Sequence, residues 1–520
     1  MHLHRRNFLK TASATTAATL LPAGFWSSVL HAQPNDGKTL VVALPTNPIT
    51  IDPINQLSHD AMLLGQTVFE NLVEYGVDGN LRPQLAAALP EVSNDQLSYT
   101  FDLRDDVVFH NGKPLTAEDV KYSFEWLLNP DNKASRRGVF ARIKDAEVLD
   151  THRVRINLKT PYSPWMYFLS KYMGIYPAGS REEHGPDHFR LSPTGVGTGV
   201  GVFEEWIPDT SITFSRNPNY WRKDLPAWEK LVVRLVPDTP SRMAFLQSGE
   251  IDIISTIPPQ DFARMEALDG VEGEARPTTS GWVSLLFDNT KAPFDDVDFR
   301  LALSYAIDRD LLAEQVFLGF LEPSSLPAPP RGWWFDSETN ATLGYDPAKA
   351  AEHLAKSKYA SGASFEMNVA TDPYLIDLRD AALAVQAMLG AIGVTANIMP
   401  MEFNVLTGKM VKGEHQSALT LLASPGEPTY MLQGAFTPGQ AVAGGVKYQG
   451  TDIAELLDKA FATTDQDAQL AIYHDIQKAV AKSMPAVTIG YAAASALWRD
   501  RVEGFKVSQG ITMNVAEVSV

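Results

Sequence analysis

The residues of this 520-residue chain that could do chemistry exclude more than they support. There is no cysteine, so disulfides, thiolate zinc sites, iron–sulfur clusters and cysteine nucleophiles are ruled out. His184 and His188 are four apart, a spacing that on a helix would turn both toward one metal. Gly185 and Pro186 lie between them and argue against that helix, so they read as surface histidines. No His-Glu-x-x-His and no Gly-x-Ser-x-Gly run is present. Gly37-Lys38-Thr39 lacks the leading glycine of a phosphate loop, because position 32 is Ala. The cluster Gly195, Gly197, Gly199, Gly201 looks like such a loop, but Val200 and Val202 stand where dinucleotide-binding spacing needs glycine; it reads as a flexible loop or tight turns. With 62 Asp plus Glu, close carboxylate pairs arise by accident, and none identifies an acid/base dyad. An enzyme is unsupported, and no cofactor or bound metal is expected.

The same acids outweigh 44 Lys plus Arg, giving a net charge of −18. So acidic a chain is poorly suited to nucleic acid or anionic membrane. The length calls for two or three domains, and 45% hydrophobic with 20% charged residues is globular composition.

Residues 1–32 read as an address. Arg5 and Arg6 precede Asn7-Phe8-Leu9-Lys10, a mildly apolar Thr11–Leu21 stretch follows, and Leu30-His31-Ala32 leads into polar Gln33–Gly37. This is an export signal, too short and polar to span a bilayer, and Arg-Arg-Asn-Phe-Leu-Lys resembles the twin-arginine type. Cleavage is expected after Ala32, although Leu30 is larger than the usual residue at its place. With no cysteine there to carry a lipid, the mature protein is expected free in the periplasm, with no membrane insertion.

Local patterns predict a β-rich first part. Thr39–Leu44 reads as a strand, His59–Leu72 as a helix, and Ser98–Leu103, Glu147–Leu149, Val154–Leu158, Ser211–Ser215 and Leu231–Leu235 as strands. Thr116-Ala117-Glu118-Asp119 is close to a capping box and opens a helix that carries Val120, Phe124 and Leu127 and stops before Pro130. Pro240–Gln247 is a short helix. From Asp298 the rhythm changes: a helix to Leu312, a second after Asp346-Pro347, then strand Phe365–Val369, helix Ile376–Leu389, strand Thr395–Met399, helix Phe403–Lys412 and strand Ser417–Leu422. That βαβαβ alternation requires a sheet covered by helices. Thr451–Phe461 and Asp465–Ser483 read as helices and Ala486–Ile489 as a strand. The β-rich and α/β parts join near 280–295.

Five ordered stretches resemble the large extracytoplasmic solute-binding proteins of ABC importers, the dipeptide-, oligopeptide- and nickel-binding type. They are Leu103–Leu127; Pro193–Asp252 with its Arg216-Asn217-Pro218-Asn219-Tyr220-Trp221 and Ser248-Gly249-Glu250-Ile251-Asp252 runs; Pro293–Arg309; Gly344–Ala350; and Gly413-Glu414-His415-Gln416. The resemblance covers 38–510. It implies an α/β fold of two lobes, the type II periplasmic binding protein arrangement of the large peptide-binding class, with a hinged interlobe cleft. Domain I is then expected over 33–285, with an inserted subdomain at about 75–190, domain II over 286–490, and a C-terminal return to domain I over 491–520. It also implies a monomer that captures a small solute and docks on ABC permease subunits. Phe109, Val120, Tyr122, Tyr220 and Trp221 are expected in the core, with Arg300 and Asp308 tying the crossing helix.

Peptide-binding members carry a Trp and an Asp before a Gly-Asp-Pro-like turn, the Asp gripping the ligand's α-amine. Here Leu422 takes the Trp position, Ser424 or Pro425 the Asp position, and the turn is Gly426-Glu427-Pro428. A serine hydroxyl cannot neutralise a desolvated ammonium, a loss of about 3–5 kcal/mol when one partner of a buried pair is removed. Free α-amino peptides are therefore disfavoured unless Glu427 supplies the carboxylate. Arg379 stands where the dipeptide branch places a carboxylate-binding arginine. Trp282, Trp333, Trp334, Phe403, Asn404, Tyr430 and Asn47 complete the candidate ligand-binding set, each of them also explicable as packing. The expected function is uptake of a peptide-like or amino-acid-derived solute. The alternative is an opine-like conjugate, blocked peptide, metal chelate or oligosaccharide, and an exported hydrolase is the rival of a different class.

Overall fold

The structure, a computed structural model, describes residues 38–45, 47–55, 62–76, 80–370, 377–423, 428–437, 446–507 and 513–520. The expected signal at 1–32 lies outside the described residues. Two strands organise the rest. Val271–Phe287 and the return strand Ala486–Arg499 pair antiparallel for nearly their whole lengths and belong to one eleven-stranded sheet that passes through both lobes.

On the first side, Thr39–Leu44 lies parallel to Lys230–Leu235 and to Ile253–Ser255, and the last of these meets the return strand at Ser255↔Ala496. Gly201–Ile207 and Ser211–Arg216 extend that edge as hairpin strands. A separate four-stranded sheet, Glu91–Val92, Ser98–Asp102, Arg153–Leu158 and Ile143–Asp150, is covered by the helix Ala117–Leu128. That helix begins and ends as expected. Asp119 accepts hydrogen bonds from the Thr116 amide and hydroxyl at 2.8 Å, and Val120, Phe124 and Leu127 are buried on its inner stripe.

On the second side, Ser364–Ala370 is parallel to Thr395–Met401 and to Ser417–Ala423, as the βαβαβ pattern requires, with helices Arg379–Ala391 and Phe403–Lys412 as crossovers. Asp346 caps Pro347–Lys356 through two backbone amides at 3.0 Å. The helix expected over Asp298–Leu312 is broken. Val297–Ala306 ends at Ile307, whose ψ is 114°, and Asp308 caps a new turn through the Leu311 amide. Buried Arg309 then binds the Thr488 and Ser304 carbonyls, tying this turn to the return strand. Arg300 binds the Ser483 and Met484 carbonyls at the end of the helix Gln466–Ser483, just before that strand.

Two buried groups give the fold opposing responses to pH. His415 is 2% exposed and neither ring nitrogen has a partner among the described residues; burial lowers its pKa to about 4. Glu70 is enclosed, and burial, against hydrogen bonds from Trp221 and Tyr220, raises its carboxyl to about 7. Below pH 6.5 the unfolded chain protonates at His415 while the folded chain resists until about 4, so this group loses stability on acidification. Glu70 stays protonated in the folded state below about 7 and gains stability there. Between pH 7 and 5, His415→Leu is therefore expected to reduce the acid loss by roughly 2 kcal/mol, and Glu70→Gln to increase it by a similar amount. Urea titrations at both pH values check this; two variants with the wild-type pH slope would refute it.

Candidate functional site

The register of the crossing strands locates the site. Val271–Pro277 pairs with Ala493–Arg499 on the first side, and Trp282–Leu286 with Ala486–Tyr491 on the second. Between them four residues, Thr278–Gly281, face only Ala492, so the ladder is interrupted there. The Thr278 hydroxyl replaces part of it, donating to the Ala492 carbonyl at 2.7 Å and accepting from the Gly281 amide at 3.1 Å. On its other flank the return strand meets Leu321–Pro323, close enough that a Cβ on Gly490 would lie 2.4 Å from the Glu322 carbonyl oxygen.

Strand ends from both lobes converge on this interruption. Ile253–Ser255 runs antiparallel to the return strand and carries its parallel neighbours' carboxyl ends toward Ala492. Ser417–Ala423 ends opposite Gly281 and aligns the carboxyl ends of Ser364–Ala370 and Thr395–Met401 at the same edge. Ligands in open α/β sheets bind outside such ends, where chain direction diverges. An interrupted ladder flanked by two such edges has the geometry of a cleft between lobes.

Five of the ten residues expected to bind are described and follow these strand ends in the chain. Arg379 opens the helix after Ser364–Ala370; Phe403 and Asn404 open that after Thr395–Met401; Tyr430 is in the first turn of Pro428–Phe436, after Ser417–Ala423. Ser424 and Glu427 fall on that connection but lie outside the described residues. On the opposite edge Asn47 follows Thr39–Leu44, where its amide donates to Asp209. Ile49, two residues on, was not singled out by sequence and is 79% exposed. A large aliphatic side chain left bare on the loop after a strand could meet a hydrophobic part of a ligand. Its signal in the sequence was only its place in the loop.

Arg379 does not stand as a free cation. Its guanidinium forks onto Asp377, with Nε 3.0 Å and 2.9 Å from the two oxygens; Arg379 is exposed and Asp377 partly buried. Burial pushes the Asp377 carboxyl up, yet its bonds to Arg379 hold it below the usual range. Any anion reaching Arg379 meets that carboxylate first. Trp282 is wholly enclosed: Nε1 donates to Thr488 Oγ1 at 2.9 Å and the ring meets Phe436 edge-on. Trp334 is buried and Trp333 half exposed, and both rings pack on Tyr473 of the helix Gln466–Ser483. Their aromatic character was legible; that two of the three are packed inside was not.

Among the described residues no group of three His, Asp or Glu could hold a metal. The His184 and His188 rings stack at 4.4 Å, and His188 Nε2 meets the Thr194 carbonyl. The glycine cluster is neither a phosphate loop nor a loose one. It is backbone packed against the end of the helix Met62–Val68, with the Gly199 amide donating to the Val68 carbonyl at 2.8 Å.

Comparison with known proteins agrees with this geometry. The family model for bacterial extracellular solute-binding proteins, family 5 middle region, matches residues 80–442, and that for twin-arginine translocation pathway signal sequences matches residues 2–22. The heme-binding protein A of Haemophilus influenzae is 27% identical, over 96% of this chain and 96% of that protein. The glutathione-binding protein GsiB of Salmonella typhimurium is 28% identical over 90% of this chain and 91% of that one. In fold the chain is similar to AgaA of Agrobacterium tumefaciens R10, solved with agropinic acid, with TM-score 0.80 at 24% identity, covering 93% of this chain and 98% of that one.

Proposed function

The chain belongs to the bacterial extracellular solute-binding proteins of family 5, and from that premise we propose that it captures an amino-acid-derived solute without a free α-amine and hands it to an ABC permease. Its twin-arginine signal addresses it to the periplasm. The observation that carries the ligand class is the connection after Ser417–Ala423. Ser417–Ala423 ends opposite Gly281, and at the sequence position where peptide binders of this family place the amine-gripping acid this chain has Ser424. Relatives that resemble this chain are named for binding heme, which has no α-amine, and glutathione, which keeps one on its γ-glutamyl residue, and a fold neighbour was solved with agropinic acid. A clear shift with glutathione would therefore count against the ligand class.

In this reading the monomer closes around its guest, and contacts from both lobes become available together, so ligand shifts the population toward the closed form. Ile49 lends apolar surface, while Asn47, Phe403, Asn404, Glu427 and Tyr430 supply the polar and aromatic remainder. Arg379 serves an acidic ligand only by exchanging its Asp377 partner. Trp333 is the one of the three tryptophans with ring surface to offer. The solute leaves chemically unchanged.

Thermal denaturation with unmodified dipeptides, glutathione, agropinic acid, heme and N-acetylated dipeptides tests the proposal. A ligand at a hundred times its Kd adds about 2.7 kcal/mol to stability and raises the melting temperature accordingly. Unmodified dipeptides are expected to give no shift and a conjugated or blocked compound a clear one, recovered intact after denaturation. Submicromolar affinity for an unmodified dipeptide would refute the ligand class, and conversion of the bound compound would refute pure binding.

A further inference from the structure

A second set of contacts joins the lobes away from the crossing strands. On the first lobe it uses the four-stranded sheet and the loop before the helix Trp165–Tyr172; on the second, the helices Asp452–Ala462 and Gln466–Ser483. The Arg142 guanidinium lies 4.7 Å from the Phe461 ring centre and 5.0 Å from that of Tyr162, and its Nη2 is 3.2 Å from Asp458 Oδ1. Tyr162 and Phe461 meet edge-on at 5.3 Å. The Ser163 amide donates to the Phe461 carbonyl at 3.1 Å, Gln469 Nε2 reaches Ser163 Oγ at 3.0 Å, and Gln96 donates to Thr464.

We infer that this Arg142–Phe461 contact is a clasp, making and breaking as the lobes close and open, and setting how long the closed form persists; it rests on the solute-capture reading only in requiring lobes that move. Its composition suits a reversible contact. Arg142 and Asp458 are partly exposed, with side chains 31% and 72% accessible, so their attraction is modest and salt-screened. The aromatic pair adds shape, and the cation over both rings adds to the ion pair instead of duplicating it. The hydrogen bonds are few, as in the small polar contacts across which domains ordinarily move. Tyr162 and Phe461 are 5% and 1% exposed where they meet, so opening bares one aromatic pair while the ion pair stays near solvent. Arg142 is therefore a positioning residue: it holds the walls together and need not touch the ligand.

The absence of cysteine makes the clasp measurable without any ligand. In a Gln96→Cys/Thr464→Cys background the two thiols are the only ones, and a short bismaleimide traps the closed form at a rate proportional to its population. Arg142→Glu should slow trapping about fivefold, the scale of an exposed pair lost and reversed. Asp458→Asn should slow it about twofold, and Arg142→Glu with Asp458→Arg should restore it to within about twofold. Equal trapping in all variants, or no rescue by the charge swap, would overturn the clasp; no trapping in any of them would overturn it by showing that these surfaces do not meet. A screen in which no solute shifts the melting temperature would instead count against the solute reading and leave the trapping rates as expected. Circular dichroism melts establish that each variant is folded.

Discussion

Gly197→Ala should be among the most damaging single methyl additions in this protein, destabilising it by at least about 3 kcal/mol. A Cβ at Gly197 would lie 2.0 Å from the Val68 carbonyl oxygen and 2.8 Å from its carbon, and one at Gly199 would lie 2.4 Å from the Thr67 oxygen. The atoms in the way are backbone at the end of a helix, which cannot rotate aside as a side chain can. The glycine segment is itself pinned, because the His110 amide donates to the Gly197 carbonyl at 2.7 Å and Asn217 Nδ2 to that of Gly199 at 2.9 Å. Relief requires separating Met62–Val68 from the sheet, with its buried Leu63, Leu64 and Val68. Gly195→Ala is the internal control. Its φ of 78° carries a cost of about 1–2 kcal/mol for a non-glycine residue, but its Cβ would meet only Asn111 at an ordinary 3.5 Å. Denaturant midpoints should fall far more for Gly197→Ala than for Gly195→Ala, and equal midpoints would show that the seam can open freely.

The second large effect concerns a charge sealed beneath the loop that carries Ile49. Asp52 and Arg181 side chains are 3% and 4% exposed, and Arg181 Nη2 lies 2.9 Å and 3.0 Å from the two carboxylate oxygens. The Tyr176 hydroxyl donates to Asp52 at 2.5 Å, while the guanidinium lies 3.8 Å from the ring centre of Trp126 and 4.3 Å from those of Tyr176 and Phe189. Asp52→Asn keeps the shape and an acceptor for Tyr176 but strands a cation among aromatic rings, which should destabilise by about 3–5 kcal/mol. Adding Arg181→Met removes the stranded charge and fills the space with an apolar chain, so the double variant should recover at least about 1 kcal/mol relative to Asp52→Asn alone. Strictly additive losses would mean that the carboxylate acts through its backbone contacts to Ile54 and not through the ion pair.

Some of this architecture could be read residue by residue. The Thr116–Asp119 box, the Asp346 cap and the alternation from Phe365 to Leu422 each encode a local structure whose energy comes from neighbours in sequence, and each formed near its expected bounds. The crossing strand Val271–Phe287 was not visible, because Gly273, Pro277 and Gly281 interrupt any strand-like run. The return strand was seen only to Ile489; its continuation Ala492-Ala493-Ala494 has no β preference and is held extended by pairing with Leu321 at Ala492 and with Arg276 and Pro277 beyond it. Gly201–Ile207 was missed because its leading glycine looked like loop. Among the candidate ligand residues, position after a strand was legible for Phe403, Asn404 and Asn47, and Arg379 was chosen by resemblance, whereas enclosure of Trp282 and Trp334 depends on Thr488, Phe436 and Tyr473, remote in the chain.

The amino-acid sequence alone determined the export address, the absence of thiol chemistry, the β-rich to α/β change of rhythm and the resemblance to solute-binding proteins. These depend on residue type and short spacing. Only the tertiary structure decided where the crossing ladder breaks, that the glycine cluster is a packing seam, that Arg379 already holds an anion, and that Arg142 reaches Phe461. Those facts depend on contacts between segments tens to hundreds of residues apart, whose energies are set by mutual placement, and no local pattern of side chains records such placement.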